Sequence, residues 1–102
     1  MNKALETKKQ VEEKSIELID GTFTKGEALH IINDILNVKI NFHKIQRLSK
    51  TEGNSNDECL FDNSRISELI TDKKETKAFL RALKSNGQNI KISSTINITL
   101  EE

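Results

Sequence analysis

Residues 90–100 read IKISSTINITL, and their alternation is the clearest indication of the fold. Isoleucine occupies every second position apart from Ser94 and Leu100, while Lys, Ser, Thr and Asn fill the positions between them. Because side chains alternate between the two faces of an extended strand, the pattern predicts one apolar face and one polar face. We therefore expect a strand here, buried on its isoleucine side.

The start of a helix is marked by residues 24–27, TKGE, in which Thr24 and Glu27 form a T-x-x-E capping box. Directly after the box, apolar residues recur at the spacing of one helix face. They are Ala28, Leu29, Ile31, Ile32, Ile35 and Leu36. We predict a helix that begins at this box and turns its apolar stripe toward the core.

Residues 37–48 permit two interpretations. Val38, Ile40 and Phe42 alternate as they would in a strand. The helical interpretation instead uses the series Ile35, Val38, Phe42 and Ile45. Since neither Pro nor Gly occurs between residues 27 and 52, nothing in the sequence interrupts a helix, and we favour the helical interpretation.

A loop and a second helix follow. Residues 51–58, TEGNSNDE, collect the Gly, Asn, Ser and Asp that favour turns. The second helix is predicted to be capped by Asp62, Asn63 or Ser64 and to stop at the pair Asn86-Gly87. Its apolar residues are Ile66, Leu69, Ile70, Phe79, Leu80 and Leu83. Because residues 71–77 are polar, this helix either protrudes beyond the core there or is broken near Asp72.

Two segments precede the first helix. Residues 15–23, SIELIDGTF, are rich in Ile, Leu and Phe and predict a short strand that ends near Gly21. Residues 1–14 hold few apolar groups, so we expect a frayed helix or a disordered arm. Residues 15–102 then form a single domain.

The predicted architecture is α+β with the order β-α-α-β. A helical hairpin returns the chain to its starting end, so the last strand runs antiparallel to the first, and the hairpin packs on this small antiparallel sheet. A two-stranded ribbon is marginal by itself, and a long unpaired strand edge invites another chain. We therefore expect dimerisation to extend the sheet.

Composition bounds the class of protein. The 102 residues include thirteen Ile and four Phe but no Trp or Tyr, which favours a fold with real strands. Sixteen basic and sixteen acidic residues balance, so no long-range field draws the chain to nucleic acid or to an anionic membrane. The single cysteine, Cys59, allows no intrachain disulfide and favours the cytoplasm. No apolar run approaches the ~20 residues of a membrane-spanning helix.

Candidate catalytic and metal-binding residues do not converge in the sequence. The segment before the first helix resembles the second half of a calcium loop, but Ile16 and Leu18 would occupy its first and third ligand positions. His30, His43 and Cys59 lack the paired spacing of a zinc site. We therefore predict no catalytic residue, no metal, no cofactor and no enzymatic activity.

The best functional candidate is a basic stripe on the first helix. If the helix continues through residue 50, cationic side chains recur at one-turn intervals and could meet phosphate groups. The candidate anion or nucleic-acid contacts are Lys39, His43, Lys44, Arg47 and Lys50. Zero net charge favours instead a solvated helix face.

Three stretches resemble short uncharacterised proteins of Bacteroidota: IDGTF at residues 19–23, KINFH at residues 39–43 and the isoleucine-rich ISSTINITL at residues 92–100. The resemblance spans residues 15–100. It implies a complete small bacterial protein and supplies no activity that can be transferred to these residues.

Together these patterns favour a non-catalytic interaction module that self-associates, with a homo-oligomer or another protein as its partner and no membrane contact. The alternative is a nucleic-acid-binding protein that uses Lys39, Lys44, Arg47 and Lys50. Affinity for nucleic acid would then fall steeply with salt, because each phosphate contact releases counterions.

Overall fold

The computed structural model describes residues 12–84 and 90–101. The elements are strand β1 (Glu13–Phe23), helix α1 (Lys25–Gly53), helix α2 (Leu60–Ala82) and strand β2 (Ile90–Thr99). The predicted α+β class, β-α-α-β order and antiparallel pairing of two strands are confirmed. Contacts group these elements into two compact units, the β1–β2 ribbon and the α1–α2 hairpin.

Strand β1 is longer than predicted. It begins at Glu13, inside the expected N-terminal arm, and it continues to Phe23 rather than ending near Gly21. Residues 1–11 of that arm lie outside the described residues. Pairing with β2 extends along nearly all of this segment, and these cross-strand contacts outweigh the local preference of Gly21 for a turn.

The two strands pair with one irregularity. Between Glu17 and Ile19 the register shifts by one residue, which leaves Leu18 without a partner among the described residues of β2. In the strand that carries such a bulge, the side chains that point to one face are at even-numbered positions on one side of the bulge and at odd-numbered positions on the other. As a result Ile16 and Phe23, an odd number of positions apart, both lie opposite isoleucines of β2.

The isoleucines of β2 share one face of the ribbon, as their spacing predicted. Burial of this face is only partial, which corrects the expectation of a buried isoleucine side. Ile90 and Ile92 are half-buried, but Ile96 and Ile98 are exposed. The cross-strand partners Ile16 and Ile96 are 40% and 41% exposed.

Helix α1 begins at the predicted capping box. Thr24 Oγ1 accepts a hydrogen bond from the Glu27 N–H at 3.1 Å, and Glu27 Oε1 accepts one from the Thr24 N–H at 2.9 Å. The helix then continues to Gly53, so the helical interpretation of residues 37–48 is correct. It also takes in residues 51–53, which the sequence assigned to the loop.

Helix α2 begins earlier than predicted. Its first residue is Leu60, and Cys59 before it lies in the left-handed region with φ 52° and ψ 42°. Asp57 Oδ1 accepts a hydrogen bond from the Cys59 N–H at 2.8 Å. This local turn starts the helix before the predicted capping residues, Asp62, Asn63 and Ser64, are reached.

Helix α2 also ends earlier than predicted, at Ala82. The pair Asn86-Gly87 lies outside the described residues. The helix is continuous through residues 71–77, so it is not broken near Asp72. Within the described part of the chain, neither helix is long and apolar enough to cross a membrane.

The α1–α2 hairpin has a small apolar centre in which Ile40 packs with Ile66 and Leu69, and Leu36 packs against this group. The polar middle of α2 contributes to the same interface, because Lys73 Nζ donates a hydrogen bond to Asn37 Oδ1 at 2.7 Å. Near the start of α1, Lys25 Nζ donates to the backbone carbonyl of Leu83. The two helices therefore contact each other along most of their length.

Helix α1 presents two different sides to its surroundings. The inner seam, which faces α2, comprises Leu36, Ile40, His43 and Arg47. The outer seam comprises Ile35, Val38, Phe42 and Ile45, all of which are exposed. At 100° per residue the two seams are about 150° apart around the helix axis. Of the predicted apolar stripe, Ala28 is buried and Leu36 packs against the apolar centre as expected, whereas Ile35 lies on the outer side and is exposed.

Candidate functional site

A buried polar cluster lies where α1 approaches the start of α2. His43 and Asp62 are only 2% and 1% exposed, and they are hydrogen-bonded through His43 Nδ1 and Asp62 Oδ1 at 2.9 Å. Lys50 Nζ donates to the other carboxylate oxygen, Asp62 Oδ2, at 2.7 Å. Both oxygens of the buried carboxylate are thus satisfied in the His43–Asp62–Lys50 cluster.

Its partners hold Asp62 in the ionised form. The hydrogen bond from Lys50 is the largest influence that lowers the pKa of Asp62, and the bond with His43 acts in the same direction against the opposing effect of burial. In return, the hydrogen bond to Asp62 raises the pKa of Lys50. Because an ionised carboxylate can only accept, Nδ1 of His43 is the donor in its bond to Asp62.

Two aromatic rings pack against the imidazole of His43. Phe42 and Phe61 pack against the imidazole in T-shaped arrangements, with ring centroids 5.2 Å and 5.7 Å from that of His43. His43 Nε2 is buried and makes no hydrogen bond to any described residue. The imidazole therefore uses Nδ1 for its polar contact and packs as an aromatic ring elsewhere.

Cys59 lies at the beginning of α2 beside this cluster. Its Sγ donates weakly to the backbone carbonyls of Arg47 and Asp57, at 3.8 Å and 3.7 Å. Burial is the main cause that raises the pKa of Cys59, and the neighbouring Asp57 adds to it. The group is therefore a thiol at neutral pH, which is a poor nucleophile compared with the thiolate. No hydrogen bond within the described residues joins it to a histidine.

The loop between the helices borders an open cleft of about 580 Å³. Its lining residues are Lys50, Asn54, Asn56, Asp57, Glu58, Cys59, Leu60 and Phe61. Acidic, basic, amide and apolar groups are mixed here, and Lys50 already binds Asp62. Across residues 12–84 and 90–101, His, Cys, Asp and Glu side chains form no group of three that could hold a metal ion.

No known protein family, curated protein or solved structure matches this chain. The role of the buried cluster therefore follows from its own contacts. Asp62 belongs to α2, while His43 and Lys50 lie on α1, so a shift of either helix would break two hydrogen bonds and leave a buried charge unpaired. The cluster thus fixes the alignment of the two helices.

Three residues of the predicted basic stripe lie on the side of α1 that faces α2. His43 is buried, Lys50 binds Asp62, and Arg47 donates to Asn63 Oδ1 at 2.9 Å. Their spacing of four and three residues matches the interhelical seam, which is why they come together there. In this arrangement His43 cannot contact a nucleic acid.

The other two residues of the stripe remain on the surface. Lys39 Nζ lies 4.8 Å from the centroid of the Phe42 ring, and Lys44 is exposed. The five residues therefore do not form one continuous phosphate-binding surface. Nucleic-acid binding stays a prediction that now depends mainly on Lys39 and Lys44.

Sequence reasoning missed Asp62 as a member of a site and treated it only as a capping residue. A signal was present, because Cys59, Asp62, Ile66 and Leu69 follow the three-four spacing of one helix side. All four side chains are buried. Applying that spacing to polar as well as apolar residues would have placed Asp62 inside the hairpin.

Proposed function

We propose that this chain is a non-catalytic interaction module that associates with copies of itself. The observation that carries the proposal is the ribbon of β1 and β2, whose edges are open and whose apolar face is only partly covered. Each strand pairs on one side in the described two-stranded sheet. The backbone N–H and C=O groups on the outer edge of each strand can therefore pair with another strand.

The side chains of the ribbon support the same proposal. The paired Ile16 and Ile96 retain two-fifths of their surface, and Ile98 and Leu18 are also exposed. Burial of such surface gives roughly 25 cal/mol per Å² of apolar area. An identical ribbon is a suitable partner, because a two-fold contact places matching apolar patches opposite each other.

The contacts of the ionisable residues support a structural role rather than a catalytic one. His43 Nδ1 is bonded to Asp62, and burial keeps Cys59 in the thiol form. Cys59 is a free cysteine, and we place the protein in the cytoplasm, where thiols stay reduced.

Sedimentation analysis of the full chain from low to high micromolar concentration tests the proposal. We expect the weight-average mass to rise from monomer to dimer, with hydrogen exchange of β1 and β2 amides slowing over the same range. A strict monomer at high micromolar concentration would contradict the proposal. Salt-dependent binding to duplex DNA with no change in self-association would favour the nucleic-acid alternative instead.

A further inference from the structure

We infer that two copies of this chain pair through the outer seam of α1, with the two α1 helices parallel around a two-fold axis. The inference rests on the proposed self-association and adds to the ribbon a second surface, with the orientation of the two helices. Its basis is the seam of Ile35, Val38, Phe42 and Ile45, together with the charged residues on either side of it.

The outer seam has the spacing of a coiled-coil interface. Its members follow one another at intervals of three, four and three residues, the a-d-a-d pattern that packs knobs into holes on a facing helix. Val38 and Ile45 are 71% and 66% exposed, so α2 does not occupy this position. The seam that α2 does cover contains His43 and Arg47, so the fully apolar seam is the one left exposed.

Residues that flank the seam indicate a second copy of this chain as its occupant. With Ile35 and Phe42 at a positions, Asp34 is a g residue and Lys39 is an e residue. In a parallel pair, each g residue lies beside the e residue five positions later on the other helix. Asp34 of each copy therefore meets Lys39 of the other, which gives two symmetric opposite-charge contacts.

The next flanking positions agree with this orientation. Asn41 and Gln46 follow as g and e residues, and their amides can hydrogen-bond across the same parallel pair. In an antiparallel pair, e residues meet e residues and g residues meet g residues, so Asp34 and Lys39 would not meet. Charge complementarity therefore selects the parallel arrangement.

Both charged residues are available for this contact. Asp34 lies 3.2 Å from His30 on the same helix, and the two side chains are 62% and 78% exposed. The Lys39 ammonium lies 4.8 Å from the centroid of the Phe42 ring, so the cation is exposed beside the outer seam.

Chain connectivity favours the parallel pair as well. Only Thr24 separates β1 from α1, so parallel helices bring the β1 ends of both copies to the same end of the pair. Antiparallel helices of 29 residues would place those ends roughly 40 Å apart. The parallel dimer therefore keeps the β1 connections of both copies at one end of the helix pair.

Charge reversal tests the pairing of Asp34 with Lys39. In Asp34→Lys and in Lys39→Asp, both symmetric contacts become like-charged, and we expect the dimer dissociation constant to rise roughly tenfold at low salt. The double variant restores opposite charges and should return to within about threefold of the unchanged chain. Asp72→Lys and Lys74→Asp, exposed positions on α2, serve as matched controls and should leave the constant unchanged.

Single-cysteine cross-linking tests the orientation independently. In a Cys59→Ser background, Ile35→Cys and Ile45→Cys place a thiol at either end of the seam. A parallel pair cross-links each variant to itself under mild oxidation. An antiparallel pair cross-links efficiently only in a mixture of the two, which would overturn the orientation.

The outcomes separate this inference from the proposed function. A chain that stays monomeric contradicts both. If the chain dimerises and its dissociation constant is the same in all four single charge variants and in Val38→Asp, self-association is supported. That result contradicts the outer seam as the surface of association. Weakening by the single reversals with recovery in the double variant supports both.

Discussion

His43 and Asp62 join α1 to α2 through a hydrogen bond of 2.9 Å between two almost completely buried side chains. The cost of burying the carboxylate is offset by its two donors, and one of them, Lys50, lies on the same helix as His43. The hairpin therefore places a polar pair at its inner seam and leaves a fully apolar seam on the outside of α1.

Stability at acid pH should depend on Asp62. Its pKa is lowered in the folded chain, so its contribution to stability is complete above the unfolded-state pKa and is lost as the pH falls through the lower folded-state value. We expect Asp62→Asn to be less stable than the unchanged chain at neutral pH but to lose less stability between pH 5 and pH 2. Urea denaturation at several pH values measures the difference. Asp72→Asn, at an exposed position, is the control, and parallel acid profiles for all three chains would contradict the assignment.

The same cluster should respond at alkaline pH with the opposite sign. The pKa of Lys50 is raised by Asp62, so its stabilising contribution is complete below the unfolded-state pKa and is lost as the pH rises through the higher folded-state value. Lys50→Met removes the charge but keeps an apolar stem, and we expect its stability to fall less steeply at alkaline pH. Urea midpoints across this range provide the measurement, with Lys74→Met as the surface control.

Adjacent residues of α2 should differ sharply in their effect on stability. Leu69 is 5% exposed and packs with Ile40 and Ile66, whereas Ile70 is 40% exposed. Leu69→Ala leaves a cavity and should lower the free energy of unfolding by about 2–5 kcal/mol, while Ile70→Ala should cost clearly less. Equal losses in urea denaturation would show that the inner side of α2 is wrongly assigned.

Removal of the capping box should destabilise α1 from its first turn. Thr24→Ala removes the side-chain acceptor for the Glu27 N–H and should cost about 1 kcal/mol. Thr24→Ser retains the hydroxyl and is the matched control. Thermal unfolding that gives the same midpoint for both variants would contradict a stabilising role for this cap.

Charge on the isoleucine face of the ribbon should weaken self-association. Ile96→Asp introduces a carboxylate beside Ile16 and opposes burial of that face against a second copy. Asn97→Asp changes the opposite face, where Asn97 Oδ1 accepts a hydrogen bond from Ser15 Oγ at 2.8 Å. We expect a larger increase in the dimer dissociation constant for Ile96→Asp, and equal constants would exclude the isoleucine face from the contact.

The elements that sequence reasoning identified are those whose signals are local. The Thr24–Glu27 box and the alternating isoleucines of β2 each determine their structure through neighbouring residues, and both are present as predicted. The bulge at Leu18 was missed because it depends on pairing with a distant strand. The left-handed turn at Cys59 was missed because the residue is not glycine, the usual residue for that conformation.

The choice between the two seams of α1 was also beyond local reasoning. Hydrophobicity alone favours burial of Val38 and Ile45, yet His43 and Arg47 are the residues that face α2. His43 is buried against Asp62, and the half-buried Arg47 donates to Asn63, so both partners lie on the other helix. A polar residue becomes a core residue only when such a partner is supplied by the tertiary fold.

The unpaired Leu18 has a consequence for how selective the ribbon is. A regular strand whose hydrogen-bonding groups align with the first half of β1 is misaligned with the second half, because the register shifts by one residue at Leu18. A regular strand on the free edge of β1 therefore gains only a short run of matched hydrogen bonds. If the proposed ribbon contact forms, this one extra residue favours a partner strand that carries the same irregularity over a regular extended peptide.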